Sequence, residues 1–119
     1  MAPEAEDSTE LDPERVAEVL AEGWQVIDVR ESYEWEAGRI AGTRHIPVGR
    51  LTAEAATVDP DRPVVFYCRV GSRSTLAADA FRASGYDAYN LVGGITEWAR
   101  RGLPIEPADG RVADHSEAG

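Results

Sequence analysis

The only cysteine of the chain lies in the run Tyr67-Cys68-Arg69-Val70-Gly71-Ser72-Arg73-Ser74. It follows the strand-like Pro63-Val64-Val65-Phe66-Tyr67, and a helical pattern begins a few residues later. A cysteine reacts as its thiolate, so the useful question is what favours the charged form. A tight loop opening a helix turns several backbone N–H groups toward one point, and the helix dipole adds positive potential there. Gly71 lets such a loop bend sharply. Arg69 and Arg73 place two permanent cations in the same stretch. The expected result is a lowered pKa for Cys68 and a cradle for an anionic persulfide, or for an incoming anion such as thiosulfate. A lone cysteine is more often a small buried hydrophobe, but a structural thiol gains nothing from two cations and an anion-binding turn.

The rest of the sequence has to position that loop. Asp12 and Pro13 read as N-cap and first residue of a helix whose stripe is Val16, Val19 and Leu20 and whose stop is Gly23. Residues 24–29 read as a buried strand, 31–37 as a short helix closed by Gly38, 43–46 as a brief extended segment and 51–58 as another short helix. The helix after Cys68 is expected over 74–84, with Leu76, Ala77, Ala80 and Phe81 on its inward face. A last strand is expected at 86–91 and a last helix at 95–101, with Ile95, Trp98 and Ala99 inward. Strand–helix alternation of this kind predicts an α/β domain, a parallel sheet covered on both faces, with ligands outside the carboxyl ends of its strands.

Composition sets the bounds. A chain of 119 residues is one domain's worth. Residues 10–106 read as that domain, and 1–9 and 107–119 as flexible, acidic, polar tails. With 22 Asp+Glu against 12 Lys+Arg the formal charge is -10, which speaks for solubility and against nucleic acid or anionic lipid as partner. Screening keeps that remote charge from opposing the adjacent arginines of the loop. The N-terminus has neither a basic start nor an apolar run, and no stretch is long enough to span a bilayer. One cysteine excludes an intrachain disulfide and suits a reducing compartment, so the cytoplasm is expected. His45 and His115 with that cysteine do not make a zinc site. A monomer is expected from size.

Other residues could be catalytic by type. Asp28, Arg30 and Glu34 read instead as an ion-pair and hydrogen-bond network bracing the loop. Ser72 and Ser74 read as helix caps, Ser72 also within reach of a persulfide. Trp24, Trp35 and Trp98 read as core or pocket wall, His45 as a satisfied structural histidine, Arg39 as a solvated surface arginine. No Ser-His-Asp arrangement, phosphate loop or dinucleotide fingerprint is present, and Gly93-Gly94 alone is a turn signal.

Taken in order, four segments carry a resemblance. Cys68 to Ser74 looks like the Cys-Arg-x-Gly-x-Arg-Ser/Thr active-site loop of the rhodanese family. Ile27-Asp28-Val29-Arg30-Glu31, with Tyr33-Glu34-Trp35 behind it, is similar to the family's first signature, and Gly38 to Pro47 to its second. Gly93-Gly94-Ile95-Thr96-Glu97-Trp98, then Gly102-Leu103-Pro104, resembles its C-terminal signature. Arg39, Ala41 and His45 depart from the usual histidine, proline and asparagine. The chain thus resembles the single-domain thiosulfate sulfurtransferases of that family over roughly residues 10 to 105.

The resemblance implies a five-stranded parallel sheet with helices on both faces and a double displacement through a Cys68 persulfide. Arg69, Val70, Gly71, Ser72 and Arg73 would form the binding loop, with Asp28, Arg30, Glu34 and Ser74 supporting. The donor would be a small molecule such as thiosulfate and the acceptor cyanide, a thiol or a protein, with no metal or organic cofactor. A phosphatase or arsenate reductase uses a similar loop, but with an extra residue between cysteine and arginine. A non-catalytic module of the family usually lacks the cysteine. A persulfide relay to one protein partner uses the same loop.

Overall fold

A computed structural model describes residues 9–114. Strands β1 (Glu10–Leu11), β2 (Gln25–Asp28), β4 (Arg44–His45), β5 (Val64–Tyr67) and β6 (Ala88–Leu91) form one sheet in the order β1-β6-β5-β2-β4. Every neighbouring pair in it is parallel. The crossovers run through helices α1 (Pro13–Ala21), α2 (Ser32–Ala37), α3 (Leu51–Glu54) and α4 (Ser72–Ala83), and α5 (Gly94–Arg100) follows β6, the last strand of the sheet in the chain. The expected α/β sheet with helices on both faces is therefore the observed one.

Its two cores follow from the two-residue period of a strand buried on both sides. On β5, Val64 and Phe66 face one way and pack with Leu51, Ala77, Ala78 and Phe81 of α3 and α4. Val65 and Tyr67 face the other way, onto Val16 and Val19 of α1 and Ile95 and Trp98 of α5. Asp12 caps α1 as expected, its Oδ1 accepting from the Arg15 N–H at 2.8 Å, and Gly23 ends that helix at a φ of 96°.

The structure differs from expectation in four places. Glu10 and Leu11 form the edge strand beside β6, and the Thr9 carbonyl, expected in the tail, accepts from the Asn90 N–H. Strand β3 (Arg39–Ile40) and β7 (Ile105–Glu106) pair antiparallel as a separate ribbon. Two-residue strands show no period, so sequence patterning cannot reveal them. Helix α4 begins at Ser72 and leaves Leu76 70% exposed, with Ala80 also at the surface, so its buried face is Ser74, Ala77, Ala78 and Phe81. Residues 107–114, expected in a tail, return to the domain: the Arg111 N–H donates to the Ala37 carbonyl and Ala113 is buried. Gly38 allows this approach, because a Cβ there would lie 2.3 Å from the Arg111 carbonyl oxygen. The remainder of the expected tails, residues 1–8 and 115–119 with His115, lies outside the described residues.

Candidate functional site

Strand β5 delivers Cys68 to the carboxyl edge of the sheet, and the chain turns at once into α4. Gly71 is the N-cap at a φ of 116°, a left-handed conformation that only glycine adopts cheaply. This turn folds the loop back over its own cysteine. The Gly71 N–H donates to Cys68 Sγ at 3.1 Å and the Ser74 hydroxyl lies 3.4 Å from the same atom. Burial pushes the Cys68 thiol up, but the Ser74 hydroxyl and the N–H groups of Ser74, Gly71 and Arg73 outweigh it, so the net direction is down. The residue is 0% exposed, which concentrates these dipoles on the sulfur.

The two arginines act otherwise than their positions in sequence suggest. Arg73 meets Glu34 in a two-pronged pair, Nη1 to Oε1 at 3.0 Å and Nη2 to Oε2 at 3.2 Å. Its pKa is raised by Glu34 first and by Cys68 to a lesser extent. Arg69 turns into a hollow lined by Thr96, Ala99, Arg100, Val112 and Asp114, with its buried Nε lacking an acceptor among the described residues. The Ser74 hydroxyl and the loop N–H groups, rather than two free cations, are what favours the thiolate.

Behind the loop stand the other expected residues. Asp28, at the end of β2, accepts from the Arg30 backbone N–H at 2.9 Å and from Arg30 Nη2 at 2.7 Å, and the same Nη2 donates to the Gly38 carbonyl at 2.8 Å. Both side chains are fully buried. Glu34 also closes a capping box on α2 by accepting from the Glu31 N–H at 2.9 Å. One buried carboxylate thus ties α2 to the start of α4. His45 Nε2 lies 2.8 Å from the Arg30 carbonyl, and its ring stacks on Trp35 at 4.9 Å. Arg39 lies over the same indole at 5.0 Å and donates to the Trp35 carbonyl, so it is held there rather than freely solvated.

Ser72 and Ser74 part company. Ser72 is the exposed first residue of α4, and no side chain caps that helix. Ser74 is fully buried and touches the sulfur, Gly71 and Asn90. Neither serine is a cap, because Gly71 moved the helix start forward. Val70 stands exposed at the loop tip.

Two positioning features went unread in the sequence. Gly94 is more than a turn signal: a Cβ there would lie 2.4 Å from the Cys68 carbonyl oxygen and 2.5 Å from that of Arg69. This contact lets the Ile95 and Thr96 N–H groups donate to those two carbonyls at 2.9 and 3.0 Å, fastening the loop to α5. Asn90 is the second. It sits on β6, buried, with Ser74 on one side and Glu10 on the other.

The Rhodanese-like domain family model matches residues 12–101 of the chain. The chain belongs to this family. A protein named sulfurtransferase from Allochromatium vinosum is 36% identical, the match covering 85% of this chain and 97% of that one. Thiosulfate sulfurtransferase GlpE of Pseudomonas aeruginosa is 35% identical over 84% of this chain and 91% of its own length. A rhodanese-related protein of Thermoplasma volcanium, of known crystal structure, superposes with a TM-score of 0.77 at 27% identity, covering 82% and 96% of the two chains. Membership of the rhodanese-like family, with sulfurtransferases among such relatives, supports sulfur transfer as the general activity. No helix among the described residues is long and apolar enough to cross a membrane.

Proposed function

We propose that the protein transfers sulfane sulfur through a persulfide on Cys68, with thiosulfate as a competent donor. The observation that carries this reading is the set of donors converging on a buried sulfur: Gly71 N–H at 3.1 Å, the Ser74 hydroxyl at 3.4 Å and the inward N–H groups of Arg73 and Ser74. In the first half-reaction the Cys68 thiolate attacks the outer sulfur of thiosulfate, the sulfur–sulfur bond of the donor breaks and sulfite leaves with the electron pair. The product is Cys68–S–S⁻, whose charge meets the same N–H groups that held the thiolate. In the second, a thiophilic acceptor attacks the outer sulfur, the persulfide bond breaks and the thiolate returns. Cyanide would leave as thiocyanate and a thiolate as its own persulfide. Such chemistry needs a reduced Cys68, which a cytoplasmic setting supplies.

Oxyanion chemistry of the phosphatase kind is less well supported. It needs an arginine free to grip the anion, and Arg73 is committed to Glu34. A protein acceptor has one observation in its favour. The exposed large apolar side chains among the described residues are Val48, Val70, Leu76 and Val92. Val70 is on the loop, Leu76 begins the second turn of α4, and Val48 and Val92 follow β4 and β6, so all four lie toward the carboxyl edge of the sheet, the edge that carries Cys68. A rim of this kind suits an acceptor thiol carried on an apolar surface.

The test is intact-protein mass after incubation with thiosulfate, with Cys68→Ser alongside. The expected result is a gain of one sulfur on the wild type alone, removed by cyanide with release of thiocyanate. A folded, reduced wild type that gains nothing would overturn thiosulfate as donor.

A further inference from the structure

The Ser74 hydroxyl has one proton and three acceptors around it: Asn90 Oδ1 at 2.5 Å, the Gly71 carbonyl at 3.2 Å and Cys68 Sγ at 3.4 Å. It can serve one of them well. The shortest contact is to Asn90, and which end of that amide faces Ser74 is settled on its far side. Asn90 Nδ2 donates to Glu10 Oε1 at 2.8 Å, so the carboxylate holds the NH₂ group and presents Oδ1 to Ser74. The register of the sheet makes this possible, because Glu10 is paired with Asn90 across β1 and β6.

We propose that Asn90, oriented by Glu10, is a positioning residue that competes with the Cys68 sulfur for the Ser74 proton. In the thiol state Cys68 S–H faces the Ser74 oxygen, and Ser74 donates to Asn90. When the thiol loses its proton to solvent, the Ser74 hydroxyl turns onto the sulfur and Asn90 Oδ1 gives up its donor. Ionisation of Cys68 therefore breaks one hydrogen bond to make another, and the edge strand β1 sets how strongly the resting state is held. This inference uses Cys68 as the reactive thiol of the reading above but does not require thiosulfate as donor.

The other charges near the sulfur are already engaged or directed elsewhere. On its own loop Arg73 faces it, paired with Glu34 of α2, while Arg69 lines the hollow beside Thr96 and Ala99, its buried Nε without an acceptor among the described residues. From the end of β2 come the mutually paired Asp28 and Arg30. Helix α5 meets the loop through backbone N–H groups. Asn90 is thus the competitor whose removal changes the Ser74 hydrogen bond without removing a charge.

The experiment is the pH dependence of Cys68 alkylation by iodoacetamide, a readout independent of sulfur transfer. Asn90→Ala is expected to lower the midpoint by about 0.5, a roughly threefold faster reaction below it. Ser74→Ala is expected to raise the midpoint, and Asn90→Ala added to Ser74→Ala should change nothing further, since no proton is left to compete for. Glu10→Ala should lower the midpoint, while Glu10→Gln, which removes the charge but keeps an acceptor for Nδ2, should behave as wild type. An unchanged or raised midpoint in folded Asn90→Ala overturns the proposal, as does a shift that survives in the Ser74→Ala background. If Asn90→Ala does not fold, the Glu10 pair decides: equal shifts in Glu10→Ala and Glu10→Gln would mean a field effect alone and would also overturn it.

Discussion

Glu34 and Arg73, thirty-nine residues apart in the chain, close a two-pronged ion pair that fastens α2 to the first turn of α4. The carboxylate is 1% exposed and the guanidinium 28%, so the two partners are not equivalent. Arg73→Ala leaves a buried carboxylate without its cation and is expected to cost about 3 kcal/mol, whereas Glu34→Gln leaves a cation that can turn to water and costs less, roughly 1–2 kcal/mol. Burial pushes the Glu34 carboxyl up, but Arg73, the Glu31 N–H and Arg30 outweigh it, so its folded value lies below the ordinary one. The pair's contribution is therefore full above the unfolded value of about 4.3 and is lost as pH falls through the folded value. Urea denaturation at neutral pH and in acid checks this. A gap between wild type and Arg73→Ala that does not narrow in acid would count against the assignment.

Gly94→Ala is expected to disable the site without removing a polar group. Its Cβ would meet the Cys68 and Arg69 carbonyl oxygens at 2.4 and 2.5 Å, and its φ of 61° is already unfavourable for alanine. Since both obstacles are backbone, the loop itself must move. Displacing reacting atoms by about 1 Å costs on the order of a hundredfold in rate. Gly23→Ala is the control: its φ of 96° is as unusual, but nothing stands within 4 Å. It should lose about 1 kcal/mol of stability and keep its sulfur uptake. Equal loss of uptake in both variants would show that φ, not the approach to the loop, is what matters.

How much of this was legible beforehand depended on whether a feature is local. The run from Val64 to Tyr67 is apolar and β-branched, and Cys68 follows it directly, so the strand, the turn and the nucleophile could be read from neighbours in sequence. Asp12 and Gly23 announced their helix in the same way. Close approaches between distant segments leave no such trace. Gly38 and Gly94 look like any turn glycine until Arg111 and Cys68 are seen against them. Arg73 looks like a free cation until Glu34 is found beside it, and Asn90 like a strand residue until Ser74 and Glu10 flank it. Leu76 shows the reverse failure. Helical spacing from Leu76 to Ala80 suggested a buried face, but the helix starts at Ser72 and turns both residues outward.

That outward turn makes a stability prediction. Leu76 is 70% exposed, so Leu76→Gln should change stability by no more than about 0.5 kcal/mol. Phe81 lies one or two turns on and faces the core, its ring 4.8 Å from both Phe66 and Tyr86. Phe81→Ala is expected to cost about 3–5 kcal/mol. Chemical denaturation of the two variants checks the contrast. Similar losses would place Leu76 in the core after all.

The source of positive potential at Cys68 can be separated by salt. If exposed arginine charge held the thiolate, adding salt from about 0.05 M to about 1 M would screen it and raise the alkylation midpoint. The structure assigns that work chiefly to the Ser74 hydroxyl and to the N–H groups of Ser74, Gly71 and Arg73, against a burial that pushes the other way. Those dipoles are fixed within the fold and in contact with a fully buried sulfur, so salt reaches them poorly. The midpoint is therefore expected below the ~8.5 of a free cysteine and nearly constant with ionic strength. As pH falls below it, the reactive fraction, and with it the alkylation rate, should drop about tenfold per pH unit. Arg69→Ala should leave the midpoint in place, because that side chain points into the hollow beside Thr96 and Asp114. A midpoint that climbs with salt, or with loss of Arg69, would return the main role to the arginines.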